Sequence, residues 1–446
     1  MSDHRFYHSA DTFKQMVRDL LARALERGAS DCEAEVHESF GQNVTVRRNE
    51  VETIEYNRDK AIGVTVYAGH KRGHATSSVF TPQALRDTVD AALSIARFTG
   101  SDDCAGLADK ENLATEFPDL DLYHPWHLPI EDAIELAKSC EAAAFSIDER
   151  INNSEGASVG VHESQFIYGN SRGFLGGYPT SRHSIGCAVI AGHDDGMQRD
   201  DWYTTARAEQ DLEAAARVGA IAGKRTVRRL DSRQIKTGRS PVLFEAPVAA
   251  TLIGHLVAGA SGGSLYRKSS FLLDALGTRI FSPIVQISDL PFLKRGLASS
   301  AFDDEGVATR SRDIVKDGVL CGYFLGSYSA RKLGMQTTGN AGGNHNLVIA
   351  KGALDLDGLM KKMDRGLLVT EVLGQGVNLV TGDYSRGVAG FWIEHGEVVH
   401  AVDEITIAGN LKDMFRSITE IGSDVLARGS KHCPSILIDN MTIAGN

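Results

Sequence analysis

The sequence predicts an α+β protein: N-terminal blocks of helix and antiparallel strands, followed by an antiparallel β-rich C-terminal domain with short helices. Three observations predict it. The order helix, strands, helix occurs twice, at 11–98 and 130–230, without residue-level similarity between the two runs. An acidic, aperiodic stretch at 101–128 separates them. From Thr237 onward, short β-branched segments alternate with glycine turns, and helical periods become few and brief. The expected domains are 1–100, 129–232 and 233–446, with 101–128 as the linker.

Residues 11–28 form the clearest helix. Phe13, Met16, Val17, Leu20, Leu21, Ala24 and Leu25 share one helical face; Asp11 or Thr12 can cap its start and Gly28 suits its end. Strand-like segments follow at 33–40, 42–48, 51–56, 61–68 and 73–79, carried by β-branched runs such as Val64-Thr65-Val66. Thr81-Pro82 joins a cap to a proline at the first helical position and opens a helix to about Phe98. The second run has a helix at 130–145, strands at 151–162, 164–168, 174–178, 182–191 and 197–206, and a closing helix at 212–230. Its turns at 169–173 and 193–196 are hairpin signals. Beyond Thr237, strands are expected at 241–244, 313–315, 320–324, 366–372, 377–381, 387–394, 398–407 and 435–443. Short helices are expected at 248–258, 327–333, 357–364 and 411–421, the last capped by Asn410.

A net charge of −11 over 446 residues argues against sequence-independent binding of nucleic acid, which needs a basic surface. Hydrophobic content of 42% and charged content of 24% suit a soluble chain with a large core. The opening MSDHRFYHSADTF lacks the regions of a signal peptide. The most apolar window, 246–263, is broken by Pro247, His255 and several glycines, so it reads as a buried element and not a membrane span. Cys32, Cys104, Cys140, Cys187, Cys321 and Cys433 are scattered without a C-x-x-C, the pattern of reduced thiols in a cytoplasmic protein.

The chain is organised around 241–274. An apolar strand leads into a helix with Val248, Leu252 and Leu256 at helical spacing, then into Gly259-Ala260-Ser261-Gly262-Gly263 and the basic pair Arg267-Lys268. Strand, buried helix, glycine loop and cations make a floor suited to a binding site. His255 is either a catalytic or partner-facing group or a core histidine bonded to backbone. The loop with Gly342, Gly343 and His345 either lines a peptide cleft or is a structural turn; no Gly-Lys-Ser/Thr follows to make it a phosphate loop. Gly374, Gln375 and Gly376 form a tight turn. Asp383 and Arg386 in the next one could grip a peptide terminus or a partner, or pair with each other at the surface. Other combinations test poorly as metal sites. His4 and His8 lie in a terminus expected to be disordered, His70 and His74 straddle a turn, His124 and His127 sit in the linker, and His432-Cys433 are adjacent. No nucleophile elbow or kinase motif set is present.

Six stretches carry a resemblance: GHLVAGASGGSLYRKSSFLLD (254–274), LKRGLASSAFDDEGVATRSRDIVKDGVL (293–320), SYSARKLG (327–334), TGNAGGNHN (338–346), TGDYSRGVAGFWIEHGE (381–397) and EITIAGNLKDM (404–414). Through them almost the whole chain resembles the TldD/PmbA family, in its PmbA (TldE) branch. The TldD branch is a zinc peptidase with His-Glu-x-x-x-His on the helix after the strand. Two imidazoles five residues apart on the helix hold zinc, and the Glu takes the proton from the zinc-bound water. The resemblance places these positions at Gly254, His255 and Gly259. It places a further cysteine ligand near Gly422-Ser423-Asp424, where this chain has none, and Cys433 lies too far along. It therefore implies no zinc and no catalytic residue in this chain, with His255 at the Glu position. It also implies a TldD-type partner that carries zinc, in a two-subunit peptidase acting on extended or unfolded peptides. The implied roles are microcin-type leader removal and degradation of labile small proteins. Arg267, Lys268, Gly342, Gly343, His345, Gly374, Gln375, Gly376, Asp383 and Arg386 are the candidates for substrate or partner contact, with peptide bound by strand addition. The alternatives are a homodimeric peptide-binding or assembly module, and an autonomous metallopeptidase with an unrecognised site. An older tie of this family to DNA gyrase finds no support in the charge.

Overall fold

The computed structural model describes residues 5–445, so His4 lies outside the described residues. The first helix, α1 (Ala10–Glu26), is capped by Ser9, whose hydroxyl accepts from Thr12 N at 3.1 Å, instead of by Asp11 or Thr12. The segment before it is tied down, contrary to the disorder expected there: Arg5 pairs with Glu163 at 3.1 Å and His8 N donates to Glu38 at 3.1 Å.

Seven strands build the first sheet: β1 (Asp31–Arg47), β2 (Glu50–Ala68), β3 (Lys71–Ser77), β4 (Ile151–Asn170), β5 (Leu175–Gly176), β6 (Pro179–Ala191) and β7 (Gln198–Ala206). The order is β3-β2-β1-β4-β6-β7, all antiparallel, with β5 on β4. Six expected segments (33–40 and 42–48, 51–56 and 61–68, 151–162 and 164–168) are in fact three long strands. Gly41, which suggested a break, is a ladder member between Asn57 and His162. Because β1 pairs with β4 from Glu33 to Val46, the two helix–strand–helix runs share one sheet. Helices α1 and α2 (Pro82–Phe98) cover one half with a core of Phe13, Val17, Leu20, Val36, Val64 and Leu93. Helices α3 (Ile130–Phe145) and α4 (Ala215–Arg228) cover the other over Val44, Val159, Ile185 and Val189. Residues 50–60 of β2 are exposed throughout and pair with β1 alone.

The 101–128 segment carries one regular element, a single turn at Lys110–Asn112, but it is not a loose linker. Leu107, Ala108, Leu113 and Ala114 are buried, and Ala108, Leu113 and Ala114 join a small core with Tyr168, Phe174, Phe302 and Val307 that fastens the first sheet to the C-terminal part. Asp102 accepts from Tyr328 at 2.7 Å and from Lys332 at 2.8 Å, both on helix α7 (Ser327–Leu333).

The C-terminal part holds two sheets. One runs β15 (Glu397–Asn410), β14 (Asp383–Glu394), β13 (Gly366–Leu373), β8 (Gly238–Phe244), β19 (Ile436–Ala444) and β16 (Ile418–Ile421). Strand β15 also pairs with β19, so the path closes on itself. The other runs β11 (Val319–Leu320), β10 (Arg312–Lys316), β9 (Ile287–Leu290), β12 (Asn346–Ile349), β18 (Lys431–Cys433) and β17 (Leu426–Ala427). The class is α+β, as expected, but the sheets are not wholly antiparallel: β8 pairs parallel with β13, and β12 with β18. The expected strand at 377–381 is a turn with one isolated bridge, and the expected helix at 411–421 divides into α9 (Leu411–Arg416) and β16. Strand alternation sorts two layers. Val242 and Phe244 face the large core with helix α5 (Ala246–Ala260), while Leu243 faces a smaller core with α8 (Leu356–Met363). A five-residue helix, α6 (Gly262–Tyr266), follows α5 directly.

Candidate functional site

Helix α5 is sunk in the C-terminal core through Val248, Leu252, Ile253, Leu256 and Ala260. Its opposite stripe, Ala250, Gly254, Val257 and Ser261, follows helical spacing and lines open space. Ala250 and Gly254 form one wall of a cavity of about 450 Å³ whose other walls come from β7, α4, β13 and the β17–β18 turn. Val257 and Ser261 line a second, of about 490 Å³, floored by Gly262, Gly263, Asn340, Ala341, Gly342 and Gly343. A third cavity of about 610 Å³ shares Glu305, Tyr328 and Ala341 with the second and reaches Glu33, Tyr67 and Arg72 on the first sheet. Beside that junction, Asp303 accepts from the amides of Glu305, Val307 and Ala341 at 2.9–3.0 Å. Burial, then the Glu305 charge, nevertheless push its pKa up to about 7.

The two glycines of α5 differ. A Cβ at Gly254 would meet only Lys431 Cε, at 3.8 Å. A Cβ at Gly259 would stand 2.8 Å from Phe271 Cε1 and 3.2 Å from Leu272 Cδ1, both buried side chains. Between them His255 is half-buried and set edge-on to Tyr384, with ring centroids 6.0 Å apart. Its Nε2 is buried without a hydrogen-bond partner, and so is the Tyr384 hydroxyl. Among the described residues no backbone hydrogen bond holds the ring, in contrast to the alternative of a core histidine bonded to backbone.

Burial, then the Arg386 charge, hold the His255 pKa below its ordinary value. The folded chain thus favours the neutral ring, whereas the unfolded chain takes up a proton near pH ~6.5. Stability from this group is complete above that pH and is lost as pH falls through the lower folded value. Burial acts in the same direction on His183 and His432. Thermal melts between about pH 7.5 and 5.5 are expected to show a midpoint falling on the acid side, with His255→Leu flattening the fall. A slope that the substitution leaves unchanged would remove His255 from this account.

The structure separates the other candidates. Arg267 lies over the Tyr266 ring and against Gly263, at the rim of the second cavity; Lys268 is exposed beside it. Gly342 and Gly343 line that cavity with φ of 95° and 119°, backbone that a side chain would strain. His345 is buried and spent: its backbone N–H donates to Asp289 Oδ1 at 2.9 Å and its Nδ1 meets Oδ2 at 3.1 Å. It lines none of the three cavities. Gly374, Gln375 and Gly376 form the exposed mouth of the β13–β14 connection. Asp383 and Arg386 do not pair. Asp383 accepts from Thr381 at 2.6 Å and Asn410 at 3.1 Å, while Arg386 Nε donates to Leu373 O at 2.9 Å and brings its charge to His255. His70 and His74 are likewise engaged apart, with Ala105 O and Thr65, and His124 pairs with Asp121 at 3.0 Å.

Three family models cover the chain: PmbA/TldA metallopeptidase domain 1 over 32–96, the central domain over 123–230 and the C-terminal domain over 237–445. Metalloprotease PmbA of Escherichia coli O157:H7 is 49% identical over 435 residues, 97% of each chain. A PmbA homolog of Haemophilus influenzae is 45% identical over 97% of this chain and 96% of its own. The chain belongs to the PmbA/TldD metallopeptidase family. Within it the PmbA branch is the nearer, since a TldD homolog of Buchnera aphidicola is 22% identical over 96% of this chain and 95% of its own. A crystal structure from Bacteroides thetaiotaomicron, described as a candidate modulator of DNA gyrase, matches with a TM-score of 0.93 at 26% identity, over 98% of this chain and 100% of that one. Sequence reading of this PmbA-branch chain missed the residues that build the first cavity around Gly254: Asp200, Trp202, Arg225, Thr370, Arg428 and Lys431. They come from five elements or loops and share no local motif. The cation-bearing run Arg428-Gly-Ser-Lys431 and the aromatic pair Trp202-Tyr203 were the only signals.

Proposed function

We propose that this chain is the zinc-free, substrate-binding subunit of a two-subunit peptidase whose TldD-type partner carries the metal. The observation that carries the reading is α5: a stripe of mostly small residues joins two cavities and includes Gly254, the first position where the family resemblance puts a zinc ligand, while the second, Gly259, is buried on the core face, and the side chains around both do not fit a zinc ion. The Lys431 stem runs beside Gly254, where it brings a cation toward any metal, and Phe271 and Leu272 fill the space at Gly259. The Asp424 carboxylate is held by Ser435, at 3.0 Å and 2.6 Å. Cys433 is fully buried and burial, then the Asp424 charge, push its thiol up, against the thiolate that zinc needs.

Metal on the partner would supply the activated water; this chain binds and orients. From Ala250 to Ser261 the stripe is about 16 Å long, room for roughly five residues of extended peptide. Its small side chains admit a backbone closely without demanding one sequence, which suits extended or unfolded substrates. Leader removal from microcin-type peptides and clearance of labile small proteins are the roles this reading assigns. All six cysteines are free thiols, which favours a reducing, cytoplasmic setting, and no helix among the described residues is long and apolar enough to cross a membrane.

Metal analysis tests the assignment. The purified chain is expected to hold far less than stoichiometric zinc, and the pair with a TldD-type partner about one zinc per pair. Near-stoichiometric zinc in the chain alone would sink the reading and direct attention to His255, His345, His432 and Cys433. In the reconstituted pair, Arg386→Ala or Arg267→Ala is expected to slow turnover with assembly intact. Unchanged turnover would assign the chain to assembly alone.

A further inference from the structure

The cavity beside Gly254 holds two cations, Arg428 and Lys431, that make no ion pair among the described residues. The Arg428 guanidinium lies over the Trp202 ring, 3.7 Å from its centroid, and over the Tyr203 ring, at 4.3 Å. Its Nη2 is buried without a hydrogen-bond partner, and so is Thr370 Oγ1 in the same cavity. Among the described residues, no acid lies within ion-pair distance of Arg428 or of Lys431. The third cation, Arg225, is already held by Glu245 and Asp200, and Glu371 is held by Arg229. Asp201 is the one remaining acid on the wall, and burial, then the Asp200 charge, push its pKa up. Burial pushes Arg428 and Lys431 down, the direction that an arriving anion reverses.

We propose that this cavity is a carboxylate-binding site in which Arg428 and Lys431 hold the C-terminal carboxylate or an acidic side chain of a peptide lying along α5. The proposal rests on the reading of α5 as a peptide groove. Two unpaired cations against one unpaired acid leave about one positive charge, matched to a monocarboxylate and not to a phosphate dianion. The guanidinium is held against two aromatic rings and keeps an unpartnered N–H to donate to a carboxylate. The cations sit next to Gly254, so an anchored carboxylate sets where the rest of the peptide crosses the helix. Strand addition alone would fix no such register.

Trp202 beneath the guanidinium is a built-in reporter. The full chain is titrated with acetylated alanine pentapeptides of three kinds: free C-terminus, amidated C-terminus, and amidated with one central Glu. At least one acid peptide is expected to bind ~10-fold or more tightly than the neutral amide, and the two acid arms identify which carboxylate is held. Arg428→Gln and Lys431→Gln should each erase that preference while neutral-peptide binding persists, and Trp202→Phe should remove the signal. Equal binding of all three peptides to the wild-type chain overturns the carboxylate site and leaves the groove reading standing. If no peptide binds, N-acetylglycine and N-acetylglycinamide decide. A Trp202 response to the acid alone keeps the site and ends the groove reading; a response to neither, or to both alike, overturns the site as well.

Discussion

Arg225→Ala is expected to destabilise the protein by roughly 3–5 kcal/mol, because it strands the partly buried Glu245 carboxylate and leaves Asp200 with Arg229, 3.9 Å away, as its one cation. Arg225 on α4 donates through Nη1 to both oxygens of Glu245, at 2.8 and 3.0 Å, and through Nε to Asp200 at 3.3 Å. The three side chains are only 12–15% exposed, so little water can replace the lost partner. Asp200 is on β7 of the first sheet, and Glu245 is the residue before α5, so the triad clamps the first sheet to the base of the candidate groove. Denaturant unfolding of the variant against wild type measures the cost. The charge-free triple variant Arg225→Met, Glu245→Gln, Asp200→Asn should recover most of it, since the penalty arises from uncompensated charge more than from lost contact. A triple variant as unstable as Arg225→Ala would point to packing against Trp202 as the source instead.

Gly259→Ala and Gly254→Ala are expected to act in opposite directions although the two sites lie on one helix. Both remove the helix-interior cost of glycine, worth about 0.5–1 kcal/mol. At Gly254 the added methyl meets only a lysine stem, and the gain remains. At Gly259 it meets Phe271 at 2.8 Å and Leu272 at 3.2 Å, which are 4% and 1% exposed and cannot swing away. Overpacking of this kind costs about 1–3 kcal/mol, so the net effect is destabilising, and Gly259→His should be worse still. Thermal melting of the three variants checks the signs. A stabilised Gly259→Ala would mean that the segment after α6 can yield, and that the space for a zinc-binding histidine was never closed.

Much of the architecture was legible in the sequence because it is written in local periodicity. The apolar faces of α1 and α2, the Thr81-Pro82 start and the β-branched runs of β1, β2 and β4 all satisfy rules that reach over a few residues. The errors have physical causes as well. Gly41 looked like a break because a glycine costs strand propensity, but pairing on both sides to Asn57 and His162 outweighs it. The three- to four-residue strands β9, β12 and β18 and the two-residue β17 are too short to show a period, and they exist because neighbours complete their hydrogen bonds. The run at 411–421 reads as helix throughout, yet Ile418–Ile421 is held in the ladder of β19.

The candidate site divides along the same line. The glycines at 254 and 259, the histidine between them and the glycine loop at 342–343 stand in the chain as residue types, and the two helix glycines alone set that α5 offers no pair of imidazoles at these positions. Which of those positions is open and which is filled depends on Phe271, Leu272 and Lys431, and that was settled only by tertiary packing. The same holds for Arg428 against the Trp202 and Tyr203 rings, for Arg386 beside His255 instead of Asp383, and for the single sheet that joins two runs of the chain. Side-chain spacing along one element is a local property. Burial, ion pairing and the emptiness of a cavity are set by groups up to hundreds of residues apart, and they come into being only when the chain is packed.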